Sequence, residues 1–400
     1  MHTETIEPPL GHATIIEAAL VADSPSAESP IGPVRRGWRL SCSAIEWLFG
    51  AAALVIGLAV LASIPIVQFV SLGYLLECSG RIVRTGRLRA GLIGMRKAAR
   101  AGGIALGTAL VLAPVAAIAQ LARSARLIDP GGRNDAGLSA LLIAALAIAV
   151  VQIASACWRG GRIRNFLWPA PIATARFLAG LVTSNGTCSR ASDASWRYIK
   201  SLQLPYYFSL GLRGAIGGLA WLFIPVTLLI AGMRGPTPPL GIAGAAMFAI
   251  VLLYLPFVQT RFAAENRLRA MFQIGPVRQV FRRAPLAFLI SLVVTLGLAV
   301  PLFLLKVQLI PRDAVWLACL FFVVFTWPAK LLLGWSYAYG QRRPRPRNFV
   351  LRWLMRLAMV PIAAAYVGLM YLTMYTSWYG MVSIYAQHPF LVPVPFLTVE

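Results

Sequence analysis

RIVRTGRLRAGLIGMRKAARAG, residues 81–102, runs directly into GIALGTALVLAPVAAIAQL, residues 103–121. The first stretch carries seven Lys/Arg and no carboxylate; the second carries no charge over nineteen residues. About 20 apolar residues, rising about 1.5 Å each, cross a bilayer core about 30 Å thick as one helix. A basic run abutting such a helix is the pattern that orients it, basic side inward. The fold follows from that junction, because the rest of the chain repeats it.

Windows of spanning length lie at 44–64, 103–121, 138–157, 214–232, 240–258, 284–306, 314–333 and 357–376. Their only charges are Glu46, Lys306 and Lys330. Each is expected near a span end, where a long side chain reaches the headgroups. Composition agrees: 58% hydrophobic, 12% charged and a mean hydropathy of +0.72, against about 45–50% and about 25% in soluble domains. The expected fold is all-α: a polytopic transmembrane bundle of about eight spans, with proline-broken helices and amphipathic helices at the cytoplasmic interface.

The net charge of +24 would point to nucleic acid in a soluble protein. Here topology accounts for it. Twenty-six of the 37 Lys/Arg fall in residues 77–102, 158–203, 259–283 and 341–356, opposed only by Glu77, Asp193 and Glu265. The intervening loops 122–137, 233–239 and 308–313 hold five basic and three acidic residues. Every second loop is basic, which places those four loops in the cytoplasm, the C-terminus outside, and nucleic acid off the list of partners. The N-terminus has two readings. Eight simple spans put it outside. Yet residues 44–76 are apolar for 33 positions with Pro65 among them, so 44–62 could cross and 66–78 return as a re-entrant arm. That puts Arg35, Arg36 and Arg39 inside.

Residues 1–43 read as a mostly disordered acidic tail with a basic flank, 44–376 as the membrane domain, and 377–400 as an apolar tail holding Pro389, Pro393 and Pro395. The tail lacks the basic start and apolar core of a secretory signal. Pro65, Pro114, Pro225, Pro256, Pro301 and Pro328 are candidate helix breaks. Pro65-Ile66-Val67-Gln68 and Pro256-Phe257-Val258-Gln259 suggest parallel repeats over 44–232 and 240–376. Gly103–Gly107 and Gly214–Gly218 favour close helix packing. Trp335, Tyr337, Tyr339, Trp378, Tyr379 and Tyr385 read as an aromatic belt.

Chemistry is sparse. His2, His12 and His388 lie outside the spans and basic loops, and Cys42, Cys78, Cys157, Cys188 and Cys319 are scattered singly. No catalytic residue, metal site or cofactor is expected from them. No GxxxxGK[ST] occurs. Asn185-Gly186-Thr187 fits a glycosylation sequon by chance, being placed in the cytoplasm. Asp129 and Asp135 flank a Pro-Gly-Gly turn. Glu77–Arg81 and Glu265–Arg269 are each four apart; they read as interfacial ion pairs, or as gate or partner contacts where spans meet the cytoplasm. Residues 81–100 and 261–281 interleave apolar residues with Arg, as helices lying on anionic headgroups do. The expected function is a non-enzymatic scaffold or assembly subunit with an anionic-lipid-binding face and an unidentified protein partner, motivated by a lack of buried ionisable groups. The alternative is a permease for an apolar or zwitterionic solute or lipid.

Leu72-Gly73-Tyr74-Leu75-Leu76 followed by Arg81, Arg84 and Gly86 resembles an uncharacterised family of bacterial and archaeal membrane proteins known only as a domain of unknown function. Ala263-Ala264-Glu265-Asn266-Arg267, Ala270-Met271-Phe272 and Arg282-Arg283-Ala284-Pro285 are similar to its later cytoplasmic segment. Asp193–Tyr198, with Pro205 ahead of a span, resembles a segment of related multi-span proteins. The likeness covers patches of residues 60–290. It implies an integral protein of the bacterial inner membrane and supplies no catalytic residue.

Overall fold

The computed structural model describes residues 33–168, 172, 174–176, 179, 196–234, 238–304 and 315–376. Residues 1–32 of the expected acidic tail (1–43), the expected C-terminal tail (377–400) and the sequon lie outside them, whereas residues 33–43 are helical. All regular structure among the described residues is helical, and eight stretches are long and apolar enough to cross a membrane, overlapping the eight expected windows. The chain is a multi-pass integral membrane protein. Contacts divide the chain at Leu48, and the packing described below lies in the unit from Phe49 onward.

The long apolar segment is not one span. Helix α1 (Pro33–Ser63) ends before Pro65, and α2 (Gln68–Thr85) begins after a four-residue reversal. Pro65 has no N–H to give the ladder, and it pushes Ile64 out of helical geometry. Val67 N–H then bonds Pro65 O at 2.8 Å, and Ile66 takes a left-handed φ of 71°. The hairpin opens toward the basic loops. A Cβ on Gly50 of α1 would meet Met95 and Ala99 at the start of α3 (Met95–Ile128), and the last turn of α2 sits on Arg342.

Beyond α3 come α4 (Arg133–Trp158), α5 (Ile163–Leu167), α6 (Leu204–Arg234), α7 (Pro238–Glu265), α8 (Ile274–Arg283), α9 (Pro285–Leu304), α10 (Val315–Arg342) and α11 (Phe349–Thr376). Proline opens α7 and α9 at the first helical position, where its missing N–H costs nothing. The other candidate breaks sit inside helices: Pro114 in α3, Pro225 in α6, Pro256 in α7, Pro301 in α9 and Pro328 in α10.

α2 is the axis of the bundle. It is only moderately apolar, but its small residues let three helices approach it closely. A Cβ on Gly73 would overlap the backbone of Tyr207 and Gly211 in α6, one on Gly80 that of Ala263 in α7, and one on Gly334 of α10 that of Ser79. Lipid tails give apolar side chains little reason to hide, so such backbone proximity drives association instead. Around this axis Phe257 of α7 stacks on Phe288 of α9 at 4.3 Å, and Phe281 of α8 meets Phe288 edge-on at 5.8 Å. Tyr337, expected in the aromatic belt, is buried beside Phe288. Gly103 and Gly107 of α3 face the α5 segment, Gly107 against Phe166, so this GxxxG serves an internal contact.

Residues 81–100 and 261–281 are not single interfacial helices. α2 ends on left-handed Gly86 (φ 67°) and α7 on left-handed Asn266 (φ 54°). Each cap is followed by an extended arginine, Arg87 (φ −116°, ψ 125°) and Arg267 (φ −125°, ψ 121°), and then by a 3₁₀ turn at Leu88–Gly91 or Leu268–Phe272. Arg87-Leu88-Arg89-Ala90 and Arg267-Leu268-Arg269-Ala270 are thus the same four residues in the same backbone shape. The Pro-x-Val-Gln echo does not share this equivalence: Pro65 is in a reversal, Pro256 inside α7. Within these two stretches α8 keeps an amphipathic pattern, with Val277, Val280 and Phe281 buried against the bundle and Arg278 and Arg282 exposed.

Candidate functional site

At the basic end, arginines close the carboxyl termini of neighbouring helices. The last carbonyls of a helix have no partner within it and carry partial negative charge. Arg84 of α2 donates from Nη1 to Ala263 O (3.0 Å) and Ala264 O (3.2 Å) in the last turn of α7. Arg342 of α10 donates to Thr85 O (2.7 Å) and Gly86 O (3.2 Å) at the end of α2. Arg213 of α6 reaches Asn266 through its Oδ1 at 2.8 Å. Part of the basic charge read as a topology signal therefore joins α2, α6, α7 and α10. Each such bond contributes about 1.5–3 kcal/mol when well shielded, less where water screens it.

Glu77 is the buried centre of this set, 4% exposed. Its Oε2 accepts from the Tyr206 hydroxyl at 2.8 Å, and its Oε1 pairs with Arg84. Arg81, the expected partner, is more distant at 3.9 Å. The second expected pair does not form. α7 stops at Glu265, so Arg269 falls in the 3₁₀ turn and points outward. Glu265 instead receives Arg261 Nε at 2.6 Å, and Arg261 also holds Gln273 O (3.1 Å) and Oε1 (2.8 Å). Glu77 and Glu265 are brought to the same end of the bundle, since Arg84 spans from Glu77 to the turn that ends in Glu265. The chemistry on offer is clamping of helix ends. Among the described residues no group of three His, Cys, Asp or Glu could hold a metal ion.

A second polar locus was missed by the sequence. Lys330 does not reach the headgroups. It is 1% exposed, and its Nζ donates to Gln259 Oε1 of α7 at 2.8 Å. It lies twelve residues before Arg342 and fifteen after Val315, about 18 and 22 Å from the two ends of α10. The hydropathy window closed at 333 because aromatic residues follow, whereas the helix runs on to Arg342. Thr295 of α9 and Thr326 of α10 line a cavity of about 10 Å³ beside Lys330, and neither hydroxyl has a hydrogen-bond partner. That space suits about one water molecule. Buried ionisable groups do exist here, which removes the motive first given for a scaffold.

A family model described as a protein of unknown function (DUF4013) matches residues 203–310, from the start of α6 to just beyond α9. This agrees with the expected likeness to an uncharacterised family over part of the chain. It takes in the Ala263–Arg267 and Arg282–Pro285 motifs and leaves Leu72–Leu76 outside. No curated protein and no solved structure matches the chain.

Proposed function

We propose that the chain is a non-catalytic subunit or scaffold of the bacterial cytoplasmic membrane, oriented with its basic end in the cytoplasm and resting there on anionic lipid. The first crossing enters from the basic end, and α11 leaves the C-terminus outside. The observation that carries the reading is the set of exposed arginines at the basic end, Arg87, Arg89, Arg267, Arg269, Arg278 and Arg282, a cationic face suited to acidic headgroups. Near a membrane surface each basic residue adds about 1 kcal/mol of attraction to acidic lipid. A bundle clamped at its helix ends suits assembly with a partner protein better than large internal movement.

A permease for an apolar or zwitterionic solute is the second reading, favoured by Lys330 and Gln259 at mid-depth. An ionisable residue there is a functional candidate by default. Against it, the cavity beside Lys330 is about 10 Å³, too small for a solute. The test is purification of the tagged full chain in mild detergent, with mass spectrometry of everything that travels with it. A stoichiometric protein or an enriched acidic lipid supports the first reading. Solute flux through vesicles containing this chain alone overturns it in favour of the second.

A further inference from the structure

A recess of about 230 Å³ opens between α7, α8, α9 and α11. Its walls are apolar, including Leu253, Phe257, Val277, Phe288 and Met359, and two arginines, Arg278 and Arg356, line it as well. Neither arginine joins an ion pair among the described residues. Arg356 is half-buried, with its guanidinium 5.6 Å from the Phe281 ring centre and 5.7 Å from that of Trp353. Those rings hold it in place by cation–π attraction, so little freedom is lost when it takes up a ligand.

We propose that this recess binds one acidic glycerophospholipid, its phosphate held by Arg278 and Arg356 and the upper part of one acyl chain lying along Phe257, Met359 and Val360. Three observations select that occupant. Charge and apolarity are ordered as in a lipid. Arg278 is on α8 at the basic end, Arg356 is seven residues into α11, and Val360 is four residues further along, about 6 Å. The opposite wall continues down α7 to Leu253, twelve residues from its end and about 18 Å in. Val360, in the lining of the recess, is exposed, as are Trp353 and Leu357 on the same helix, a candidate membrane span. The volume of the recess is below that of pockets that enclose a whole small ligand, so the occupant must continue into the membrane. Two guanidiniums without carboxylate partners match a phosphodiester, which accepts paired N–H donors.

This inference rests on the lipid-engaging reading and sharpens it to one site. The full chain is exchanged in detergent against phosphatidylglycerol, phosphatidylcholine or oleate, and retained lipid is counted by native mass spectrometry. Wild type should keep one phosphatidylglycerol per chain in preference to the other two. Arg278→Gln/Arg356→Gln should reduce retention about tenfold or more. Val360→Trp, which fills the mouth without changing charge, should also reduce it. Arg87→Gln/Arg89→Gln, on the exposed basic turn, should leave it unchanged. An equal loss in Arg87→Gln/Arg89→Gln would overturn the site and leave the general attraction to acidic lipid standing. Retention of phosphatidylcholine or oleate as firmly as phosphatidylglycerol would overturn the site and its headgroup chemistry. No preference for phosphatidylglycerol in wild type, together with none between acidic and neutral nanodiscs, would overturn both readings.

Discussion

Gln259→Leu leaves the Lys330 ammonium at mid-membrane without the carboxamide oxygen 2.8 Å away. Removing the acceptor of a hydrogen bond to a buried ammonium costs about 1.5–3 kcal/mol. Lys330→Met removes the cation and leaves a neutral amide short of one donor, at about 1–3 kcal/mol. The double variant replaces both with apolar atoms of similar size, and should lie within about 1 kcal/mol of wild type or above it. Additive losses would total about 2.5–6 kcal/mol, whereas independent sites depart from additivity by only about 0.3–0.5 kcal/mol. The assay is thermal unfolding in detergent with a thiol-reactive dye, compared at one heating rate. Cys78 and Cys319 are buried and report unfolding, while exposed Cys157 is replaced in all variants, as are Cys42 and Cys188. The midpoints should rank Gln259→Leu lowest, Lys330→Met next, and the double variant near wild type. A double variant less stable than both single ones would show that the two residues do not act as a pair.

Three further outcomes follow from the same packing. Gly73→Ala should destabilise by about 1–3 kcal/mol, since its methyl would strike α6 backbone, whereas Gly368→Ala in α11, with open space around it, should be neutral or stabilising by up to about 1 kcal/mol; thermal midpoints separate the two. Ile66→Gly should stabilise by up to about 1 kcal/mol, because relief of a left-handed φ at a β-branched residue exceeds the entropy glycine adds to the unfolded chain, read as a higher midpoint. Arg84→Met should cost about 1–3 kcal/mol and speed proteolysis near Asn266 by freeing the end of α7, while exposed Arg87→Met should do neither.

The spans were legible because length and apolarity alone decide them, and the alternation of basic loops gave their common end. What hydropathy could not carry was depth and partner. Lys330 looked peripheral because Trp335, Tyr337 and Tyr339 read as interface, yet they belong to one helix with it, and Tyr337 turns inward. Glu77–Arg81 was readable from spacing, but Glu77's closer partners, Arg84 and Tyr206, depend on how α6 crosses α2. Glu265–Arg269 failed at Asn266, whose left-handed turn ends α7 one residue past Glu265. Arg-Leu-Arg-Ala at 87–90 and 267–270 was visible in the letters, and it is a sounder internal echo than the Pro-x-Val-Gln pair. Of the six candidate breaks, Pro65 coincides with a reversal of the chain, whereas the other five sit inside helices.

Orientation underlies the whole account, and single-cysteine labelling in intact cells measures it. In a chain freed of its own cysteines, Leu127→Cys, exposed at the end of α3 away from the basic loops, should react with a membrane-impermeant maleimide. Arg89→Cys in the basic turn and His12→Cys ahead of the first helix should react only after permeabilisation. Labelling of Arg89→Cys with protection of Leu127→Cys would reverse the orientation and remove the cytoplasmic lipid face. Labelling of His12→Cys alongside Leu127→Cys would restore a single first span in place of the α1–α2 hairpin.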